Sequence, residues 1–253
     1  MIDLKGRVAL VTGGSRGVGA ATARLFATAG SDVAITYRER RDDAERLVSK
    51  LRADKHGAVA FQAEASDPAA CRDVIEQTHR TFGRLDFYIA NAGIWPAKDV
   101  AVHEMPDERW RRTLGINLDS VFFGTRAAVP VMEDGGCIVV VSSTAGQRGE
   151  PFHADYAATK GAIGAFVKSL AVEVAPRLTV NAVAPGWIDT DMSDEPYARD
   201  GGAGRAAIEA GIPLGRIATA EDVAGPILFL CSVLGRHVTG EILNVNGGAV
   251  LCG

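Results

Sequence analysis

The chain has 253 residues, 47% of them hydrophobic, with a net charge of −4 and a pI near 5.8. That is enough apolar sequence for one domain with a sizeable core. No basic block is present to neutralise nucleic-acid phosphates or an anionic membrane, and the longest apolar stretch, 223–234, contains Gly225 and Pro226 and is too short to span a bilayer.

In chain order, residues 7–12 read as a buried strand, entered directly from the first six residues, so no signal peptide is expected. The strand runs into Thr12-Gly13-Gly14-Ser15-Arg16-Gly17-Val18-Gly19 and then an alanine-rich helix over 17–29. Strand, glycine loop and helix start together bring backbone amides to a phosphate. Gly13 permits the tight turn, while Gly17 and Gly19 allow close backbone approach to a pyrophosphate. No Gly-Lys-Ser/Thr follows, so this is not a nucleoside-triphosphate loop.

Further strands read near 32–37, 58–62, 86–90, 137–142, 178–183 and 241–245. Helices read near 42–54, 68–82, 107–132, 154–175 and 220–233. Asp67 before Pro68 and Thr219 before Glu221-Asp222 are helix-start signals. Segment 193–211 stands apart, with Pro196, Gly201, Gly202, Gly204 and Gly211 among charges, and reads as a hinged excursion and candidate substrate lid. The strands are short and rich in Val, Ile and Ala, as expected when helices cover both faces. The alternation predicts an α/β fold: a doubly wound, Rossmann-type parallel sheet of seven strands, forming one domain over 1–253.

Within the predicted helix 154–175, Tyr156 and Lys160 are four residues apart and share a face. A phenol has a reference pKa of about 10. An adjacent cation favours the phenolate and should lower that value, giving a general acid for a carbonyl oxygen or a base for an alcohol. The four cysteines have no Cys-x-x-Cys spacing and read as reduced thiols of a cytoplasmic protein. The five histidines form no ligand pair at helical spacing, so no metal site is expected. His153, between Ser143 and Tyr156, is the one placed to line a substrate cleft.

Thr12-Gly-x-x-x-Gly-x-Gly19, Asn91-Ala92-Gly93, Ser143, Tyr156-x-x-x-Lys160 and Pro185-Gly186 follow one another in the order and spacing of the classical short-chain dehydrogenase/reductase family. The chain resembles that family over essentially its whole length. Pro185-Gly186-Trp187-Ile188-Asp189-Thr190 and Val245-Asn246-Gly247-Gly248 make it most similar to the 3-oxoacyl-[acyl-carrier-protein] reductase type. The resemblance implies a catalytic set of Asn117, Ser143, Tyr156 and Lys160. Ser143 would donate to the substrate oxygen, with Ser142 a structural neighbour, and Asn117 would hold a water linking Lys160 to solvent. It also implies cofactor contacts from Gly13, Ser15, Arg16, Gly17, Val18 and Gly19, from Tyr37 and Arg38, from Glu64 and Ala65, and from Asn91, Ala92 and Gly93. Tyr156, Lys160, Pro185, Gly186, Ile188 and Thr190 complete that set. Glu64 stands where many relatives carry an Asp against the adenine.

Tyr37 and Arg38 occupy the end of strand two, where NAD-dependent proteins of this fold place an acid. Arg16 and Arg38 are expected to converge on a 2′-phosphate, so NADP is the expected cofactor, ahead of NAD. The expected substrate is a small carbonyl or alcohol. Arg177 matches a basic carrier-docking position of the relatives, but the companion position falls in Met132-Glu133-Asp134-Gly135, which is acidic. Trp95, Trp187, Phe152 and His153 either wall an apolar pocket or belong to the core. A homotetramer is implied, pairing helices 107–132 and 154–175, the second rich in Ala and Gly. The leading expectation is an NADPH-dependent ketone reductase, with a 3-oxoacyl thioester as one possible substrate. The alternatives are a catalytically silent nucleotide-binding regulator and an epimerase or dehydratase with tightly held NAD, which Arg16 and Arg38 disfavour.

Overall fold

In the computed structural model, which describes residues 2–198 and 203–252, seven strands form one fully parallel sheet. They are β1 Val8–Val11, β2 Asp32–Tyr37, β3 Ala58–Gln62, β4 Phe87–Ala90, β5 Gly136–Val141, β6 Leu178–Pro185 and β7 Ile242–Val245. The order is β3-β2-β1-β4-β5-β6-β7. The chain winds outward from β1 to β3, then returns to place β4 on the other flank of β1. That reversal opens a crevice at the carboxyl ends of β1 and β4, the usual ligand position in open α/β sheets.

Side chains alternate across the pleat, so each strand feeds two cores. Ala9, Val11, Val33, Ile35, Phe87 and Ile89 face one side, packing with α1 (Gly17–Thr28), α2 (Arg41–Ala53) and α10 (Ala220–Leu230). Leu10, Ala34, Tyr88 and Ala90 face the other, against α3 (Pro68–Phe82), α5 (Ser120–Ala128) and α7 (Ala154–Val174). The predicted caps form. Asp67 accepts from the Ala69 amide at 2.8 Å, and Thr219 and Asp222 cap each other reciprocally at the start of α10.

Two expectations change. The helix predicted over 107–132 is broken into α4 (Asp107–Leu114), a π-helical turn Gly115–Asp119, α5, and a 3-10 turn Val129–Val131. Apolar periodicity persists through such a turn, so the break is invisible to it. Segment 193–211 is also more regular than expected. It contains α8 (Asp194–Ala198) and α9 (Ala203–Ala210), with residues 199–202 outside those described, and a short α6 (Ala145–Arg148) precedes α7. Tyr197, Ile212 and Ile217 form a small core with Trp187 and Ile208, and Arg205 pairs with Asp189 at 2.9 Å.

Candidate active site

The crevice is a cleft of about 350 Å³ running from the glycine loop past Tyr156. Its floor is braced by side chains from neighbouring strand ends. The Thr12 hydroxyl accepts from the Asn91 and Ala92 amides, each at 3.0 Å. The Asn91 side chain donates back to the Thr12 carbonyl at 2.8 Å, and Thr36 Oγ1 accepts from the Gly13 amide at 3.0 Å. These bonds hold the loop open at the start of α1, whose first turn carries no acid and leaves its amides for an anion. A Cβ on Gly19 would lie 2.4 Å from the Gly13 carbonyl oxygen, and Gly13 itself has φ +63°. Only glycine fits this cradle, whose shape and amide donors suit a pyrophosphate.

Every cofactor-contact residue expected from the sequence lines the cleft. Gly13, Ser15, Arg16, Gly17, Val18 and Gly19 form one wall, Tyr37 and Arg38 the end of β2, and Glu64 and Ala65 the exit of β3. Asn91, Ala92 and Gly93 follow β4, and Pro185, Gly186, Ile188 and Thr190 follow β6. Arg16 and Arg38 are not bare cations. Arg16 pairs with Asp191 at 2.7 Å, and Arg38 with Glu39 at 2.5 Å and Glu64 at 3.7 Å. All five side chains are substantially exposed, where such pairs contribute only about 0–1 kcal/mol, so a phosphate can replace the acids. Glu64 also accepts from the Ser66 hydroxyl at 3.1 Å. Sequence reading missed a third guanidinium, Arg40, which lines the cleft 3.9 Å from Asp191. It sits in a charged run, Arg38-Glu39-Arg40-Arg41, that reads as a solvated helix start.

Ser143, Tyr156 and Lys160 meet at the inner part of the cleft. Ser143 stands near enough to the Tyr156 phenol to pull its pKa down, and accepts from the Ala145 amide at 3.1 Å. The Lys160 ammonium lies 5.7 Å from the Tyr156 ring centroid. Ser142 is the structural neighbour, its hydroxyl donating to the Lys160 carbonyl at 2.9 Å. Lys160 is buried and donates to the Val141 carbonyl at 2.8 Å.

The electrostatics correct one expectation. Burial pushes the Tyr156 phenol up to about 12, with the neighbouring Ser143 hydroxyl pulling down and Glu150 adding to the rise. Burial likewise brings Lys160 down to about 8. Desolvation of both groups therefore outweighs the lowering of the phenol expected from their spacing.

Asn117 does not line the cleft. It is fully buried in the π-helical turn, where its Oδ1 accepts from the Ile94 amide at 2.7 Å and its Nδ2 donates to the Ile94 carbonyl at 2.9 Å. The Asn117 amide is thus paired with the backbone of Ile94, beside Gly93.

Of the four candidate aromatics, Trp95 and Trp187 line the cleft. His153 is 3% exposed and backs Trp95 instead, and Phe152 points outward, 56% exposed at φ +63°. Arg177 is not free for docking either. Its guanidinium donates to the Met132 carbonyl at 2.7 Å and to the Val129 carbonyl, tying down the end of the helix that follows α5. Arg148 and Glu150, which the sequence did not single out, line the cleft as an ion pair at 2.6 Å.

Among the described residues, no group of three or more His, Cys, Asp or Glu could hold a metal ion, and no helix is long and apolar enough to cross a membrane.

Comparison with known proteins agrees with this geometry. The family model described as Enoyl-(Acyl carrier protein) reductase matches residues 13–250. The 3-oxoacyl-[acyl-carrier-protein] reductase FabG of Escherichia coli K12 is 38% identical over 254 residues, covering 98% of each chain. A short-chain dehydrogenase/reductase from Brucella melitensis superposes with a TM-score of 0.93 at 32% identity, covering 99% of both chains. A short chain dehydrogenase from Burkholderia cenocepacia, solved in complex with NADP, superposes at 0.90 and 35% identity, covering 97% of this chain and 98% of its own. With its seven-stranded parallel sheet and dinucleotide cradle, the chain belongs to the short-chain dehydrogenase/reductase family, on the 3-oxoacyl-[acyl-carrier-protein] reductase side, and is an NAD(P)-dependent oxidoreductase.

Proposed function

We propose that the protein is an NADPH-dependent ketone reductase, reversible as an alcohol dehydrogenase, working as one domain over residues 1–253. The observation that carries this reading is that Ser143, the Tyr156 phenol and the Lys160 ammonium line the same cleft as the glycine cradle, with Lys160 Nζ 5.7 Å from the Tyr156 ring centroid. When bound, the reduced nicotinamide supplies the hydride. Ser143 Oγ donates to the carbonyl oxygen and Tyr156 Oη gives it a proton. Lys160 supports the phenolate left behind, and its burial makes that charge count for more than it would in water. Asn117 acts one step removed, fixing the Ile94 backbone at the wall of the site. A catalytically silent nucleotide binder would need only the cradle and not this second half.

The preference for NADP is supported by Arg16, Arg38 and Arg40 around the end of β2 and by the NADP complex of the Burkholderia relative. Unpaired cysteines in the chain suit a cytoplasmic setting. Segment 193–211, whose first residue Ser193 lines the cleft next to Met192, is the candidate lid. The test is NADPH oxidation across a panel of ketones, alongside NADH; no turnover with either nucleotide would refute the reading.

The relatives named for a carrier-bound substrate raise the question of docking. Glu133 and Asp134 would repel an acidic carrier, and Arg177 is occupied by the carbonyls of residues 129 and 132. We therefore expect a small free ketone or coenzyme A thioester to be reduced at least as well as a carrier thioester. Specificity constants for one acyl group on carrier protein and on a short thiol decide this. A large carrier preference that weakens with salt would restore the fatty-acid role.

A further inference from the structure

The wall of the cleft beside Tyr156 is built from aromatic rings held from behind. The Trp95 ring is 4.7 Å from the Tyr156 ring at 83°, and 6.4 Å from the Trp187 ring at 69°. His153 stacks on Trp95 at 4.0 Å and 15°, and Tyr197 lies 6.0 Å from Trp187. His153 and Tyr197 are both buried, so each supports an indole that lines the cleft. The charge at this end is balanced, because Arg148 and Glu150 close on each other at 2.6 Å.

An aliphatic wall would bury a saturated chain equally well. Two rigid indoles inclined at 69° offer more, a face and an edge, and aromatic rings gain from both arrangements beyond the area they bury. Glu150 is the less exposed partner of its pair, 17% against the 43–73% of the acids on Arg16 and Arg38, so the pair presents no net charge to a substrate. We propose that the substrate is an uncharged ketone carrying an aromatic ring, packed against Trp95 and Trp187. This rests on the reductase reading above. In the reaction the carbonyl π bond breaks. A hydride from the reduced nicotinamide nucleotide forms the new C–H bond, the Tyr156 proton forms the O–H bond, and the products are a secondary alcohol and the oxidised nucleotide.

The test uses pairs matched in carbon skeleton, with the carbonyl unconjugated to the ring, each ratio being divided by that for borohydride reduction of the same two ketones: phenylacetone against cyclohexylacetone, and 2-tetralone against 2-decalone. Full-length protein and NADPH are used, with kcat/KM read for each ketone. The aryl member of each pair is expected to be favoured about tenfold. Trp95→Leu and Trp187→Leu, which keep apolar bulk, should each shrink that ratio severalfold while NADPH binding, followed by nucleotide fluorescence, stays unchanged. Trp95→Phe should retain most of the ratio, and guards against loss of folding in the leucine variant. Turnover with no aryl preference, or a preference surviving both leucine substitutions, would overturn this inference and leave the reductase reading intact. Binding of NADPH without turnover of any ketone would overturn both.

Discussion

Tyr156 and Lys160 are the clearest case at the scale of single residues. Their spacing in sequence predicts one shared face, and they share one; it carries no information on how dry that face is. Tyr156→Phe should lower turnover by about 10²-fold or more while NADPH still binds, because only the proton transfer is lost. Steady-state kinetics with a fluorescence titration of the nucleotide checks both halves. The buried lysine makes a second prediction. Its folded pKa, about 8, lies below its ordinary value, so between pH 8 and that ordinary value the unfolded chain binds more protons. Stability therefore rises with pH through that window, and below it the protein bears the cost of a buried charge. Lys160→Met should raise the melting temperature at pH 7, and the advantage should shrink toward pH 10. An advantage independent of pH would mean that packing, not charge, sets the difference. A third prediction concerns the arginines. Arg16→Ala with Arg38→Ala should raise KM for NADPH far more than for NADH, with each lost phosphate contact costing roughly 1.5–3 kcal/mol. Equal effects on both nucleotides would refute the assigned role. Arg40 remains in the double variant and should leave a residual preference.

Among the elements, the informative place is the junction of α4, the π-helical turn and α7. Asp155, directly before Tyr156, is fully buried. Burial works to raise its carboxyl, but hydrogen bonds from Arg109 and Thr113 outweigh it and the net shift is downward. Arg109 Nε donates to Asp155 at 3.0 Å and Thr113 Oγ1 at 2.8 Å. The same guanidinium donates to the carbonyls of Lys98 and Phe152. One side chain on α4 thus ties the start of α7 to the loop carrying Trp95 and to the loop before Tyr156. Arg109→Ala leaves a buried carboxylate unpaired and should destabilise the fold by about 3–5 kcal/mol, read as a shift in the urea midpoint. Because the folded pKa of Asp155 is depressed, its contribution is present above the unfolded carboxylate value and lost as pH falls through the folded one. The stability gap between wild type and variant should accordingly narrow in acid. None of this clamp is visible in sequence. Arg109 and Asp155 are 46 positions apart on two different helices, and each alone reads as an ordinary surface charge.

For the whole molecule, the expected homotetramer needs apolar surface on α5 and α7. Phe122 on α5 is 44% exposed and Val172 on α7 is 82% exposed. The small residues of α7 support the assembly less than expected. A Cβ on Gly164 would lie 3.0 Å from Ile242, and one on Gly161 3.1 Å from the Gly146 carbonyl oxygen, so both glycines serve packing within the protein's own fold. We predict a tetramer with 222 symmetry, closed two-fold symmetry being the commonest solution for soluble oligomers. Phe122→Glu with Val172→Glu should dissociate it. Sedimentation velocity at micromolar concentration reads both, and a monomeric wild type would overturn the assignment.

The parallel doubly wound sheet, the glycine cradle and the Tyr156–Lys160 face were legible from sequence because each is a local pattern: short buried runs, glycines at turn spacing, an i,i+4 pair. What needed the tertiary structure was whatever depends on residues far apart in the chain. The dryness that moves Tyr156 and Lys160 in opposite directions comes from walls contributed by several strand ends. Asn117 is paired with the Ile94 amide and carbonyl rather than lining the cleft, through a contact between residues 23 positions apart that no local pattern encodes. Arg177 is engaged with carbonyls of residues 129 and 132, and Trp95 is seated on His153, through contacts made only once the sheet has closed. Local sequence specifies which conformations and chemistries are possible; burial and partnership, which decide charge state and orientation, are properties of the packed chain.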